Sequence, residues 1–424
     1  MRNIGNAFAT QNKPHIHQFI AKILQLCHCS EVQSNRSIDP SKYALIIVGS
    51  GLFGSTVGRL IVEEFNIPVL ILEKRNHPGG NSWSETDTET GIEFHTYGSH
   101  LFHTSNQRVW DFINRFSEFT SYRHRVVAKH KNRYFDIPIN LQTLSNFFDY
   151  PFTPSEAREF LSKFHIPNDK SVSFEELARG SIGDTLYEAF FMNYTKKQWQ
   201  IDPKLLPGDI FRRIPIRFSF NNDYFDDTYQ GLPKDGYGKL ISNLLNHPLL
   251  HVSLNTDFFD LRTTLKHNRA IVYTGPLDRY FNYSQGVLGW RTLDFEREVI
   301  DVKDFQGTSV VNYVDADVNY TRIHEFKHLH PERRYLTEQT LIMREYSRFA
   351  QIDDDPYYPI NSSQDRKVLE GYRELTKKEK GVFFGGRLGS YLYLDMHMAI
   401  ASAINLFENS LKDYIRIHQD ILSR

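Results

Sequence analysis

The sequence predicts an α/β (mixed α+β) fold: a Rossmann-like dinucleotide-binding domain with a helical domain and an antiparallel β-sheet domain inserted into it. Three observations predict it. The stretch "YALIIVGSGLFGSTVGRL", from Tyr43, runs from a short apolar segment through three closely spaced glycines into a helical pattern. Strand-like apolar segments return late in the chain, at "AIVYTGP" and "GVFFGGR". Between the glycine turn and the last of these segments lie a helix-patterned region and then segments of alternating polarity.

Residues 1–42 are polar and irregular and read as an extension. Tyr43 to Val48 is a continuous apolar run, which fits a strand buried on both faces. Gly49, Gly51 and Gly54 spell G-x-G-x-x-G. In that setting Gly49 permits the tight turn, Gly51 lets the backbone approach a pyrophosphate, and Gly54 lets the helix pack against the strand. A phosphate there meets the free N–H groups of a helix N-terminus. From Leu52 on, Phe53, Val57, Leu60, Ile61 and Phe65 recur at helical spacing. A second apolar run ends at Glu73, 24 residues after Gly49, near the spacing at which an acid takes ribose hydroxyls. "TPSEAREFLSKF" opens on a capping residue with Glu in the first turn, and "FEELARGSIGDTLYEAFFMNYTKKQW" continues the helical pattern. "TSVVNYVD" and "QTLIMREY" alternate as antiparallel strands do. The chain thus divides into the extension (1–42), a discontinuous dinucleotide domain (43–120, 227–282 and 376–424), a helical domain (141–210) and an antiparallel sheet domain (121–140, 211–226 and 283–375).

A net charge of −1 with 24% charged residues favours neither nucleic acid nor an anionic membrane surface. No apolar run reaches the roughly 18 residues of a transmembrane helix. "FIAKILQLCHC" is interrupted by Lys22 and lacks a small-residue cleavage site, so it is not read as a signal peptide. Cys27 and Cys29 are the only cysteines, which implies no disulfide framework and suits a reducing cytoplasm. Aromatics reach 14%, with 23 Tyr and 32 Phe. Most pack the core, but some tyrosines suit a pocket that stacks a flat base. His95, His100 and His103 cluster in "FHTYGSHLFHT", yet no cysteine or carboxylate pattern completes a zinc set, so no metal is expected.

Gly79-Gly80 in "KRNHPGGNS" and the C-terminal "FFGGR…DMHMAI" resemble the second glycine turn and flavin-facing segment of flavoproteins of the glutathione-reductase type. Asp395 is expected to N-cap the last helix, whose positive end favours an anionic reduced flavin. That resemblance implies FAD rather than NAD. A closer one runs from about Tyr43 to the C-terminus. "IIVGSGLFG", "EKRNHPGGN", "YGSHLFHT", "NYTKKQW", "RRIPIRF", "NDYFDDTYQGLP", "YTGPLDRYF", "NYTRIHEFKH", "DPYYPIN" and "FGGRLGSYLYLDMH" resemble the bacterial UDP-galactopyranose mutase family.

The resemblance implies an isomerase that interconverts UDP-galactopyranose and UDP-galactofuranose without net redox change. In that family the N5 of reduced FAD attacks the anomeric carbon as UDP leaves. An external reductant, a cytoplasmic location, a homodimer among the possible assemblies, and supply of galactofuranose to cell-wall or lipopolysaccharide polymers come with it. It also implies roles. Arg213 and Arg322 stabilise the departing pyrophosphate, although residue type alone does not choose between Arg212 and Arg213. Arg387, His103 and Asp395 lie beside the flavin and the sugar. Gly49, Gly51, Phe53, Gly54, Glu73, Lys74, Gly80, Asn81, His100, Leu101, Gly386, Arg387, Leu394, Asp395 and Met396 hold the cofactor. Phe190, Phe191, Tyr194, Thr195, Trp199 and Asn312 hold uridine, Tyr224, Tyr358 and Tyr393 the phosphates, and His124 the sugar.

Two positions depart from the family pattern. Gln200 follows Trp199 where Gly is common, in the loop expected to close over substrate. His124 stands where Asn is common, which opens the choice of sugar. The same chemistry on UDP-N-acetylgalactosamine or a 6-deoxy sugar, a flavin amine-oxidase-like oxidoreductase, and a nucleotide-sugar binding module are the alternatives.

Overall fold

The first of the two large sheets is built from strands far apart in sequence. Its order is Val382–Phe384, Ala270–Tyr273, Leu45–Val48, Val69–Leu72, Leu250–Ser253, and every neighbouring pair is parallel. The computed structural model describes residues 39–164, 172–265 and 270–418. Both cysteines and all but the last residues of the expected extension lie outside them. All four residues of the two central strands, Leu45–Val48 and Val69–Leu72, are buried, as continuous apolar runs in a parallel sheet should be. The Leu52–Phe65 helix packs beside the Met396–Leu406 helix and on the sheet. Gly54 permits that approach: a Cβ there would sit 2.1 Å from the Gly49 carbonyl oxygen. Leu250–Ser253 was not singled out in the sequence. It is a short edge strand with His251 exposed, so no apolar run announces it.

The second sheet has seven strands, in the order Tyr358–Pro359, Trp290–Ile300, Thr340–Phe349, Arg322–Glu325, Val310–Tyr313, Val126–His130, Arg133–Ile137. It is not wholly antiparallel, because Val126–His130 and Val310–Tyr313 run parallel. The long stretch of chain between those two strands supplies the crossover that a parallel pair needs. Val126–His130 and Arg133–Ile137 form a hairpin whose two turn residues, Lys131 and Asn132, have φ of 46° and 62°, the left-handed pair of a tight hairpin turn.

Helices pack against this sheet's outer end. Thr153 with Glu156, and Ser173 with Glu176, form capping boxes that start Pro154–Ser162 and Phe174–Tyr187. A wider turn at Glu188–Met192 leads into Asn193–Trp199, which ends on Gln200 in the left-handed conformation, φ 50°. Phe135, Leu144, Leu177, Leu186, Phe190 and Val310 share one core. A separate core joins the five-stranded sheet to its helices. Pro40–Arg424 is one compact unit.

Candidate functional site

The glycine turn opens onto a cavity of about 720 Å³ at the carboxyl ends of the parallel strands. Gly49, Gly51, Phe53, Gly54, Glu73, Lys74, Gly80, Asn81, His100, Gly386, Arg387, Leu394 and Met396 all line it. Gly49 has φ 96°, and a Cβ there would meet Thr274 Oγ1 at 2.2 Å. No side chain caps the Leu52–Phe65 helix, so its first N–H groups remain available at the turn. Glu73 is buried. Its Oε2 accepts from the backbone N (2.9 Å) and Oγ (2.6 Å) of Ser50, and its Oε1 from the backbone N of Arg75 (3.0 Å). Three of the four carboxylate lone pairs are thereby used, and Oε1 keeps one for a further donor. Asp355 takes both Lys74 and Arg75 at 2.7 Å, and Asn81 Oδ1 accepts from Arg75. The buried Nη1 of Arg75 has no hydrogen-bond partner among the described residues. A cavity of this size, with an open helix start and a buried carboxylate at the second strand's end, fits a dinucleotide.

A second cavity, of about 690 Å³, shares His100, Arg387 and Met396 with the first. His103, His124, Phe190, Phe191, Tyr194, Thr195, Trp199, Arg213, Tyr224, Asn312, Arg322, Tyr358, Tyr393, Leu101 and Asp395 line it. Arg213 stands over the Tyr393 ring at 3.9 Å and donates to Asp395 Oδ2 at 3.3 Å. Tyr393 in turn stacks on Tyr358, with ring centroids 5.5 Å apart. Arg322 pairs with the buried Glu345 at 3.3 Å and donates to the Tyr194 hydroxyl. His324 braces that carboxylate from the other side at 3.1 Å and is held by Ser99 at 2.7 Å. Asn312 is buried, and its Oδ1 has no hydrogen-bond partner among the described residues.

Burial opposes the Glu345 charge, but Arg322 and the His324 hydrogen bond hold its carboxyl at about 2. Burial also opposes the Arg322 charge, and Glu345 and Tyr194 more than offset it, raising its pKa further above the ordinary range. Burial pushes His100 down to about 4 and His124 to about 3, so both are neutral at pH 7. Burial drives the Tyr194 hydroxyl up to about 12.

Several side chains sit differently from their sequence expectation. Asp395 occupies the N-cap position of Met396–Leu406 but makes no capping hydrogen bond, because its carboxylate turns to Arg213. Arg387 aims its donors at backbone carbonyls: Nε and Nη2 at Leu394, Nη1 at Tyr357 (3.1 Å). It therefore braces the wall between the cavities. Phe190 lines the second cavity but also packs in the core, 5.2 Å from the Phe135 ring. Arg212 and Arg213 both reach the cavity, and Arg212 pairs with the exposed Asp209 at 3.2 Å. His95, His100 and His103 do not converge. His95 is buried behind His100, whereas His103 lies against Asp227. Among the described residues one other group has metal-ligand spacing, Asp304, Glu325 and His328, and it lines neither cavity. Glu345 and Asp227 escaped the sequence reading. Glu345 meets Arg322 directly across paired strands, and Asp227, two residues ahead of the Tyr229–Gly231 strand, is carried to His103 by that strand's pairing with Phe102–Thr104; no local spacing encodes either.

Residues 47–116 match the NAD(P)-binding Rossmann-like domain model, and residues 189–393 match the UDP-galactopyranose mutase model. The chain is 40% identical over 372 residues to a probable UDP-galactopyranose mutase of Klebsiella pneumoniae, covering 87% of this chain and 94% of that protein. It is 37% identical over 374 residues to a dTDP-fucopyranose mutase of Escherichia coli, covering 87% and 98% respectively. A crystal structure of a reduced UDP-galactopyranose mutase superposes with TM-score 0.67 at 14% identity, covering 87% of this chain and 96% of that one, a likeness of fold. A nucleotide cavity joined to an arginine- and tyrosine-lined one, on a chain this similar along nearly nine-tenths of its length, places it: the protein belongs to the UDP-galactopyranose mutase family.

Proposed function

We propose that the protein is a flavin-dependent isomerase that interconverts the pyranose and furanose forms of a nucleotide-linked sugar, with UDP-galactose as its substrate. The observation that carries this reading is the junction. Arg213 and Arg322 line a tyrosine-rich cavity that shares His100, Arg387 and Met396 with the dinucleotide cavity. The first cavity suits FAD: the turn's backbone is open, Glu73 retains acceptor capacity, and the orphaned Arg75 Nη1 gives a polar group a partner. Gly49, Gly51, Gly80, Glu73, Lys74 and Asn81 would hold its nucleotide half, and His100, Arg387, Leu394 and Met396, with Leu101 from the adjoining cavity, its flavin half. Bound and reduced by an external reductant, FAD supplies an electron-rich nitrogen for the anomeric carbon. The protein's own part is electrostatic. Arg213 and Arg322 stabilise the charge that grows on the pyrophosphate as the anomeric bond breaks. Tyr224, Tyr358 and Tyr393 position the phosphates, while Tyr194, Thr195, Trp199, Phe190, Phe191 and Asn312 hold uridine. The reading includes a dinucleotide domain formed from 43–120, 227–282 and 376–424, a cytoplasmic setting and delivery of furanose to surface polysaccharide. Among the described residues no helix is long and apolar enough to cross a membrane.

A specific observation favours a second substrate, dTDP-fucose. The Escherichia coli relative named for it is matched over 98% of its length, and His124, neutral and buried, lines the substrate cavity. The test is a product assay with UDP-galactose, dTDP-fucose and UDP-N-acetylgalactosamine, run with the flavin oxidised and with dithionite. Ring isomerisation only after reduction, without stoichiometric use of the reductant, is expected. Net oxidation of substrate with oxygen uptake would replace the mutase reading with an oxidoreductase one.

A further inference from the structure

His103 is held by more contacts than a packing residue needs. Phe225 stacks on one face of its ring, with centroids 3.6 Å apart and planes within 10°. His397 stands edge-on at 4.8 Å. Its Nδ1 lies 2.6 Å from Asp227 Oδ2, and the other Asp227 oxygen accepts from Ser105 Oγ at 2.8 Å. The backbone beneath is fixed, because Phe102–Thr104 pairs with Tyr229–Gly231, His103 opposite Gln230, and Gln230 Nε2 donates to the Asp227 carbonyl. Burial opposes the Asp227 charge, but the His103 and Ser105 hydrogen bonds hold the carboxyl below its usual range. An ionised carboxylate only accepts, so Nδ1 must carry a proton. Nε2 has no hydrogen-bond partner among the described residues, and His103 lines the substrate cavity. The other titratable groups around it are His397, Asp395 and, across Phe225, His124.

We propose that Asp227 is a positioning residue that locks His103 in the Nδ1–H form, and that His103 Nε2 is the proton carrier of the sugar site. The proposal rests on the pyranose–furanose reading. Opening the six-membered ring requires a proton on the ring oxygen, and closing the five-membered ring requires one to leave the C4 hydroxyl. The imidazolium gives the first proton from Nε2, and the neutral imidazole takes the second back at Nε2. The ring C–O pair stays on the oxygen that gains the proton, and a pair from the C4 oxygen forms the new C–O bond; the electron-rich nitrogen that bound reduced FAD would supply satisfies the anomeric carbon in between. Protons and electrons are unchanged overall, and nothing beyond the reduced flavin of the proposed function is needed. Asp227 keeps Nε2 on the sugar side throughout.

Two measurements test this. Long-range ¹⁵N–¹H NMR of histidine-labelled, oxidised holoenzyme should show neutral His103 as the Nδ1–H tautomer. Asp227→Asn, whose amide can donate, should invert it, and Asp227→Glu should keep it. In the reduced enzyme with UDP-galactose or dTDP-fucose, Asp227→Asn should lower kcat about 10²-fold or more with KM nearly unchanged, as losing a tautomer-setting carboxylate does elsewhere. Asp227→Glu should recover at least tenfold of that. A wild-type Nε2–H tautomer, or wild-type kcat in Asp227→Asn, overturns the proposal. If wild-type enzyme turns over neither sugar, the mutase reading fails, and the NMR result still decides the Asp227–His103 pairing by itself.

Discussion

Arg213 and Arg322 reach the same cavity with different support. Arg322 is braced by a buried carboxylate, and Arg213 by an aromatic face and the half-buried Asp395. If both stabilise the leaving pyrophosphate, replacing either with Ala should lower kcat about 10²–10³-fold while flavin content stays near wild type. Lys should rescue only partly, since it keeps the charge but loses the planar fork. Arg212→Ala, with its exposed partner Asp209, should stay close to wild type; steady-state kinetics on the three variants decides the assignment. Glu73→Ala should weaken FAD retention, because a hydrogen bond to a charged group is worth about 1.5–3 kcal/mol, and fluorescence titration of apoprotein with FAD reads this directly. At this scale the glycine turn and Glu73 were legible because their meaning lies in spacing along one strand–turn–helix unit. Glu345 and Asp227 were not, because Glu345 is placed by a strand register and Asp227 by the segment that leads into a paired strand, both with partners far away in the chain.

The element that links the two halves of the substrate cavity is the Asn193–Trp199 helix. It carries Tyr194, Thr195 and Trp199 into the cavity. Lys197 on the same helix donates to three backbone carbonyls, of Tyr313 (2.6 Å), Asp315 (2.7 Å) and Tyr320 (3.2 Å). Those carbonyls flank the strands that bear Asn312 and Arg322, so one ammonium ties the two walls together. Lys197→Ala should raise KM for the nucleotide sugar about tenfold and lower Tm, and the change in KM should exceed that in kcat. The helix ends on Gln200, left-handed and tethered through Nε2 to the Ser347 carbonyl at 2.8 Å. Gln200→Ala and Gln200→Gly both lose the tether, but Gly tolerates the backbone and Ala does not. Thermal melts should therefore place the Ala variant below the Gly variant. The helices were readable from their capping residues and apolar spacing. The parallel pairing of Val126–His130 with Val310–Tyr313 was not, since a strand's alternation is the same for either direction.

Across the whole molecule, the interior holds neutral histidines. Burial lowers the pKa of His95, His100, His124 and His324, and for His100 and His124 it reaches about 4 and about 3. Their unfolded-state value lies near 6.5, so below it the unfolded chain binds protons that the folded one refuses. Stability falls as pH drops from about 6.5 toward 4. His100 and His124 alone give an uptake of roughly two protons on unfolding near pH 5, a slope of about 2.7 kcal/mol per pH unit. The Glu345 carboxylate adds a further loss only between its unfolded value near 4.5 and about 2. Urea unfolding at pH 7, 6 and 5 should show this steepening, and His124→Asn should flatten it by about one proton.

The parallel sheet also sets a timetable. Leu45–Val48 leaves the ribosome first of the five strands, yet the neighbour on one side, Ala270–Tyr273, and the strand beyond it, Val382–Phe384, come from far down the message. At about 5–20 residues per second, the gap from the first strand to the last is on the order of tens of seconds. For that interval the glycine turn exists on a nascent chain whose sheet has an open edge and whose first helix lacks the Met396–Leu406 helix beside it. The nucleotide cavity, walled partly by Gly386, Arg387, Leu394 and Met396, is completed only once that late segment has been made. A complete nucleotide cavity therefore waits on the last strand and helix, and the open edge until then is a surface for chaperones to shield.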